Sequence, residues 1–267
     1  LEREPLGFDP NTPNIARLYD YFLGGKDHLA VDREAAEELL RVAPEVRAAA
    51  RANRAFLRRA VRRLAAAGLR QFLDVGTGLP AYGSVHEVAR EVAPEARVAY
   101  VDRDPVVLTH VRALPVDPDT TAVVEGDLRH PETILKHPDV LRVIDFSEPV
   151  GVLLVGVMHH IADGDDPGGI VATFRDAMAP GSHLAISHGS SDARSAVVDK
   201  AVEVYGRTGV PLSMRGRERV AELFTGFELV EPGLVWLSQW HPEEADAIDF
   251  ADDPASSLAV CGVGRRT

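Results

Sequence analysis

The stretch Phe72-Leu-Asp-Val-Gly-Thr-Gly-Leu-Pro80 decides the fold. An apolar run that ends in an acid and two closely spaced glycines reads as a β-strand turning sharply into a loop. Glycine permits the positive φ of such a turn and leaves room for a ligand against the backbone. Asp74 falls at the strand's carboxyl end, where open α/β sheets bind ligands and where it can accept from an ammonium group. Taken alone, a Gly-x-Gly pair is equally an ordinary strand-to-helix turn.

The surrounding pattern narrows the choice. Short apolar runs at 71–75, 97–101, 121–125, 150–157 and 183–187 alternate with helical periodicity at 84–92, 105–113, 133–143 and 168–178. The run Gly151-Val-Leu-Leu-Val155 has no polar alternation, as expected of a parallel strand covered on both faces. Alternating β and α units predict right-handed crossovers and a doubly wound, mostly parallel sheet. The second strand runs into Asp102, 24 positions after Gly78, near the spacing of an acid that grips ribose hydroxyls. The third ends in Gly126-Asp127-Leu128, with an acid placed to accept from an adenine amino group. Each acid alone reads as a loop acid or a helix N-cap. Three at the ends of three successive strands favour a nucleoside-type ligand.

Upstream, residues 32–42 and 45–67 are amphipathic helices separated by Pro44, and Gly68 caps the second. Two further helices are expected at 193–207 and 216–224. Two late strands at 227–230 and 258–263, joined without a helix, make an antiparallel edge, and the segment with Trp236, Trp240 and Pro242 reads as an inserted connection. The expected architecture is therefore α/β, Rossmann-like, with seven strands and an N-terminal helical extension. Residues 1–70 form a cover of the same domain, and residues 71–267 the ligand-binding part.

Asp74-Val-Gly-Thr-Gly, Asp102 and Gly126-Asp127 resemble the first motifs of class I S-adenosylmethionine-dependent methyltransferases. The stretch Pro13-Asn-Ile-Ala-Arg-Leu-Tyr-Asp-Tyr-Phe-Leu-Gly-Gly-Lys-Asp27 resembles, more narrowly, the amino-terminal signature of a bacterial S-adenosyl methyltransferase family once known only as a domain of unknown function. The likeness extends over nearly the whole chain, including Gly78-Leu-Pro80 and Glu231-Pro-Gly233. It implies S-adenosyl-L-methionine as cofactor and methyl transfer as activity. The glycine loop Gly76, Thr77, Gly78 with Asp74 would then meet the methionine part. Asp102 and Arg103 would flank the ribose, and Gly126, Asp127 and Leu128 the adenine. Val157 and Met158 would lie beneath the cofactor. The chain departs from the general pattern at Pro80, which replaces a third glycine and puts the loop shape in question.

Methyl transfer asks the protein to hold the acceptor in line, exclude water and take a proton where the acceptor carries one. His159 and His160, past the fourth strand, are the candidate bases, with one expected to face the pocket and the other to stabilise the turn. His188 is a further candidate. In the amino-terminal signature Tyr19, Tyr21 and Phe22 form an aromatic edge, and Gly24-Gly25 a tight turn presenting Lys26 and Asp27. One reading packs this segment on the sheet; the other makes it a lid with Tyr21 or Lys26 near the cofactor's carboxylate. Cys261, Trp236 and Trp240 read as packing residues. No His or acid group shows metal-ligand spacing, so no metal site is expected.

Composition sets the outer bounds. A chain of 267 residues that is 45% hydrophobic can bury a large core. A net charge of −12 argues against a nucleic-acid partner. Arg47, Arg51, Arg54, Arg58 and Arg62 recur at helical spacing and read as a solvated face or, alternatively, an anion-binding patch. A single cysteine excludes an internal disulfide, no apolar run reaches membrane length, and residues 1–14 lack a signal-peptide layout. A cytoplasmic enzyme with a small-molecule substrate is expected; the oligomeric state is left open. The rival readings are an NAD(P)-dependent oxidoreductase, since Gly76-x-Gly78-x-x-Ala81 fits the dinucleotide pattern, and a non-catalytic cofactor-binding regulator.

Overall fold

The structure, a computed structural model, describes residues 9–81, 83–209, 212–243, 250 and 252–267. Three helices precede the sheet: α1 (Ile15–Leu23), α2 (Ala30–Val42) and α3 (Val46–Ala66). Asn14 caps α1 by accepting from the Arg17 amide, and Gly24 ends it at φ 82°. Asp32, fully buried, accepts from the Leu29 amide and from Arg17 Nε at 2.6 Å, locking the starts of α1 and α2 together.

The alternating part follows as expected. β1 (Gln71–Val75), β2 (Arg97–Asp102), β3 (Thr121–Glu125), β4 (Gly151–Val155) and β5 (His183–Gly189) are parallel. They alternate with α4 (Val85–Val92), α5 (Pro105–Arg112), α6 (Pro131–Leu135), α7 (Pro138–Val143) and α8 (Pro167–Ala177). One helix expected at 133–143 is two, because Pro138 holds His137 in extended backbone (ψ 128°). After β5 come α9 (Ser195–Gly206), α10 (Arg217–Glu222), β6 (Glu228–Leu229), β7 (Val235–Trp236) and β8 (Ala259–Arg265).

The strand order is β3-β2-β1-β4-β5-β8-β6, with β7 also on β8. β8 runs antiparallel to β5, so the sheet is mostly parallel with an antiparallel edge. It has eight strands rather than seven, because Val235–Trp236, read from sequence as part of a connection, pairs with β8. Chain direction across the sheet reverses between β1 and β4, which opens a crevice above their carboxyl ends.

Successive residues of β1 face opposite layers. Phe72 packs with Phe56, Leu57 and Val88 of α3 and α4, while Leu73 packs with Val171 and Phe174 of α8. A third apolar cluster joins α1, α2 and α9 through Leu18, Phe22, Leu39 and Val197. The amino-terminal helices thus lie against the same body as the sheet. Cys261 and Trp240 are buried in the first cluster, as expected of packing residues, and Trp236 lies under Arg217. No helix among the described residues is long and apolar enough to cross a membrane.

Candidate functional site

The glycine loop leaves β1 at Val75. Gly76 (φ 75°) packs so closely that a Cβ there would stand 2.5 Å from Val157 Cγ2. Gly78 (φ 67°) has open space where its Cβ would be, which leaves its backbone bare to the crevice. Asp102, ending β2, holds this loop: its Oδ2 accepts from the Gly78 amide at 2.9 Å and its Oδ1 from the Asp104 amide at 2.9 Å. Pro80 is accommodated because the loop does not enter a helix there; α4 begins only at Val85, behind a Ser84–Glu87 capping box.

Asp74 is 5% exposed and accepts from Thr77 Oγ1 at 2.6 Å. Burial pushes its carboxyl up to about 6, with the Thr77 bond pulling the other way. Asp127 behaves oppositely. The Arg129 guanidinium and amide donate to it, Arg103 approaches to 3.7 Å, and its carboxyl is held at about 2. Gly126 is needed for packing, since a Cβ would lie 2.8 Å from Val101 Cγ1. Leu128 supplies an apolar wall beside Asp127.

These strand ends line a cavity of about 390 Å³ that continues beneath the amino-terminal helices. The sequence-derived candidates Asp74, Gly76, Thr77, Gly78, Asp102, Arg103, Gly126, Asp127, Leu128, Val157, His159 and His160 all border it. Four others, His188 among them, do not. Tyr21 is turned away, with its hydroxyl on Glu37 and its ring under Arg47, because on α1 it falls off the face shared by Tyr19 and Phe22. Lys26 is exposed on a turn closed by Gly25 against the Asp20 carboxylate, and it does not reach the cavity. Met158 is fully buried in the core beneath α8, on the far side of its turn from the cavity.

Both histidines reach the cavity, where only one was expected to. Residues Met158–His160 form a turn of 3₁₀ helix rather than extended chain, so Met158 takes the core side and the two imidazoles stand together, ring centroids 4.3 Å apart. His159 Nδ1 accepts from the Gly189 amide at 3.2 Å. Burial, followed by the charges on His160, His188 and Arg215, holds its pKa well below the usual imidazole value. The ring is therefore neutral at pH 7 with its proton assigned to Nε2 by the hydrogen bond at Nδ1. His159 offers a donor, not a base. His188 lies outside the cavity: its ring spans the Gly189 carbonyl and Arg215 Nη1, and burial lowers it to about 4.

Three residues to which sequence reading gave no site role, and a fourth that it weighed only within an arginine stripe, shape the site. Asn53 on α3 donates to the Tyr19 hydroxyl at 2.9 Å and accepts from Ser187 Oγ at 2.5 Å, tying α1, α3 and β5 into a neck beside the histidines. Asn14 donates to Asp104 at 2.5 Å, pinning the start of α1 over the β2 end. Arg215 donates to the carbonyls of Met158 and Ile161, to His188 and to Asp163, and so holds the whole β4 loop. Arg54, in the stripe read from sequence as a solvated face or an anion-binding patch, borders the cavity. Its Nε is buried with no hydrogen-bond partner among the described residues, and its charge acts on Asp74. A signal existed: Arg54 stands four residues after Ala50 and three before Leu57, on the buried face of α3.

An open backbone at Gly78, carboxylates at Asp74 and Asp102 and the unpartnered Nε of Arg54 fit a nucleoside carrying an amino-acid tail, the ligand implied by the three strand-end acids. Among the described residues no three His, Cys, Asp or Glu side chains stand together as metal ligands.

The family model described as S-adenosyl methyltransferase matches residues 2–267. A candidate methyltransferase of Thermobifida fusca YX, known as a crystal structure, is 42% identical over 100% of both chains with a TM-score of 0.90. A DUF574 family protein of Streptomyces avermitilis MA-4680 is 38% identical over 97% of this chain and 99% of its own, with a TM-score of 0.93. The mitomycin 7-O-methyltransferase MmcR shares the fold alone, at 17% identity and a TM-score of 0.50 over 79% of this chain and 54% of its own. No curated protein matches the sequence.

Proposed function

Because the chain belongs to the S-adenosyl methyltransferase family over residues 2–267, we propose that its cavity binds S-adenosyl-L-methionine across β1–β3 and a small-molecule acceptor beneath the amino-terminal helices. The chain is a methyltransferase with that cofactor, and the nicotinamide and regulator readings fall with the family membership. The observation that carries the residue assignment is the meeting of Asp74, Gly78, Arg54 and Asp102 on one cavity.

Asp102 accepts from the ribose hydroxyls while keeping the Gly78 amide in place. Asp74 faces the methionine ammonium, and Arg54, whose Nε is buried without a partner among the described residues, receives the α-carboxylate. Asp127 and Leu128 border the adenine. When bound, the cofactor supplies a methyl group on a sulfonium, which an acceptor lone pair takes as the S–C bonding pair returns to sulfur. His159 orients the acceptor by donating from Nε2, and His160 is the remaining candidate for a proton acceptor. The helices α1–α3 exclude water and act as a lid. The net charge of −12 supports a small molecule over nucleic acid as acceptor, and the sources of the two similar crystal structures, Thermobifida fusca and Streptomyces avermitilis, support a bacterial enzyme.

Calorimetric titration with S-adenosylhomocysteine and with 5′-deoxy-5′-methylthioadenosine, which lacks the amino-acid tail, tests this assignment. Arg54→Met is expected to weaken S-adenosylhomocysteine by about tenfold or more and leave methylthioadenosine unchanged. Asp102→Asn is expected to weaken both. Equal losses on both ligands for Arg54→Met remove Arg54 from the tail, and no S-adenosylhomocysteine binding by the native protein overturns the whole assignment.

A further inference from the structure

Charge is distributed unevenly around the cavity. Among the described residues, its charged lining residues (Asp74, Asp102, Arg103, Asp104, Asp127, Arg129 and Asp165) come from the carboxyl ends of the strands and the segments just past them, with Arg54 alone on an α-helix. Past the neck of Tyr19, Asn53 and the two histidines, the lining changes to Phe22, Leu39, Val46, Val197, Ala201 and Leu212. This chamber lies among α1, α2, α3 and α9, and Phe22 and Val197 belong to the apolar cluster that joins those helices. An interior apolar cluster ordinarily packs without voids larger than a water molecule. Here it opens into the same cavity that the strand-end acids border.

We propose that this chamber is the acceptor site and that it takes an uncharged, largely apolar small molecule whose one polar end faces His159 and His160. The proposal deepens the methyltransferase reading and rests on it. A carboxylate or ammonium deep in the chamber would lose its water and meet alkyl and aryl walls, a penalty that no charged group among the described residues there offsets. An uncharged ring gains from each wall it covers. Met214, which also borders the cavity, adds a flexible thioether that adjusts to ligand shape. The polar end is met at the neck, where neutral His159 has a donor and the rings of His160 and Tyr205 lie 5.8 Å apart at a 31° tilt. Both ends of the requirement are thus read from the wall: apolar body inward, hydroxyl or similar group toward the cofactor.

The test uses the native protein saturated with S-adenosylhomocysteine, titrated calorimetrically with 2-naphthol and with 2-naphthoate, which share the naphthalene body and differ in the charge of the polar end. Naphthol is expected to bind, and naphthoate to bind at least tenfold more weakly. Ala201→Phe, which fills the chamber from α9, is expected to abolish naphthol binding with S-adenosylhomocysteine affinity unchanged; Leu212→Trp repeats the test from another wall if the first variant does not fold. Naphthoate binding as tightly as naphthol, no naphthol binding at all, or naphthol binding that survives the filled chamber each overturns the proposal. Failure of S-adenosylhomocysteine to bind the native protein instead overturns the methyltransferase reading beneath it, so the two failures are distinguishable.

Discussion

Asp74 carries the clearest pH signature in the molecule. Its carboxyl sits at about 6 in the free protein because burial disfavours the charge. A ligand ammonium beside it favours the ionised form, so the complex holds the carboxyl lower. Ligand affinity is then full above pH 6 and falls as protons compete below it. Between pH 7.5 and pH 5, S-adenosylhomocysteine affinity is expected to drop roughly tenfold. Asp74→Asn should bind weakly at both pH values with no such slope, and a native protein whose affinity is flat across that range removes the ammonium contact from Asp74. Asp102 shows how one side chain can serve two ends: its carboxylate fastens Gly78, and the proposed cofactor pose puts the same group at the ribose. Its presence at a strand end could be read from spacing. Its hold on the glycine loop could not, because that hydrogen bond joins two strands' loops.

Among the elements, the β4 loop depends on a residue far along the chain. Arg215 is 6% exposed and donates to two loop carbonyls and to His188, while Asp163, its ion-pair partner, stays largely in water. Arg215→Ala strips buried acceptors of their donor, with an expected cost of about 2–4 kcal/mol in denaturant unfolding. Because the same loop carries His159 and His160, turnover should fall with S-adenosylhomocysteine affinity nearly intact. Unchanged stability in that variant would mean that water replaces the guanidinium. The helix α1 teaches the complementary lesson. Its signature stretch reads as a special element from sequence, yet its polar residues mostly serve the fold: Arg17 pairs with buried Asp32, Asp20 accepts from the Asp27 amide, and Gly24 ends the helix. Ile15, Ala16, Tyr19 and Phe22, on one face, are what it contributes to the cavity.

For the whole molecule, the cavity couples the sheet to the amino-terminal helices, since Asn14, Tyr19 and Asn53 border it from α1 and α3 while the strand-end loops border it from below. A ligand bridging the two halves should slow their separation. At 100 times its dissociation constant a ligand stabilises by about 2.7 kcal/mol. Hydrogen exchange in Ile15–Leu23 is therefore expected to slow on S-adenosylhomocysteine binding, more than in β6 at the sheet edge. Exchange in α1 that is indifferent to the ligand would show the helices to be a fixed wall rather than a lid.

The sequence by itself determined the alternating architecture, the strand ends at Asp74, Asp102 and Asp127, and the glycine loop. Those features are local: apolar runs, helical periodicity and turn-forming glycines act over a few residues. Tertiary structure decided the rest. Arg54, on a face of α3 whose periodicity already reads as buried, borders the cavity because its neighbour Asn53 docks on Ser187 of β5. Tyr21 and Lys26 face away because α1 docks through Leu18 and Phe22. His159 becomes a donor because the Gly189 amide from β5 occupies its Nδ1. Each of these outcomes joins residues distant in sequence, and no pattern within one segment encodes which face of a helix, or which nitrogen of a ring, its distant neighbour will claim.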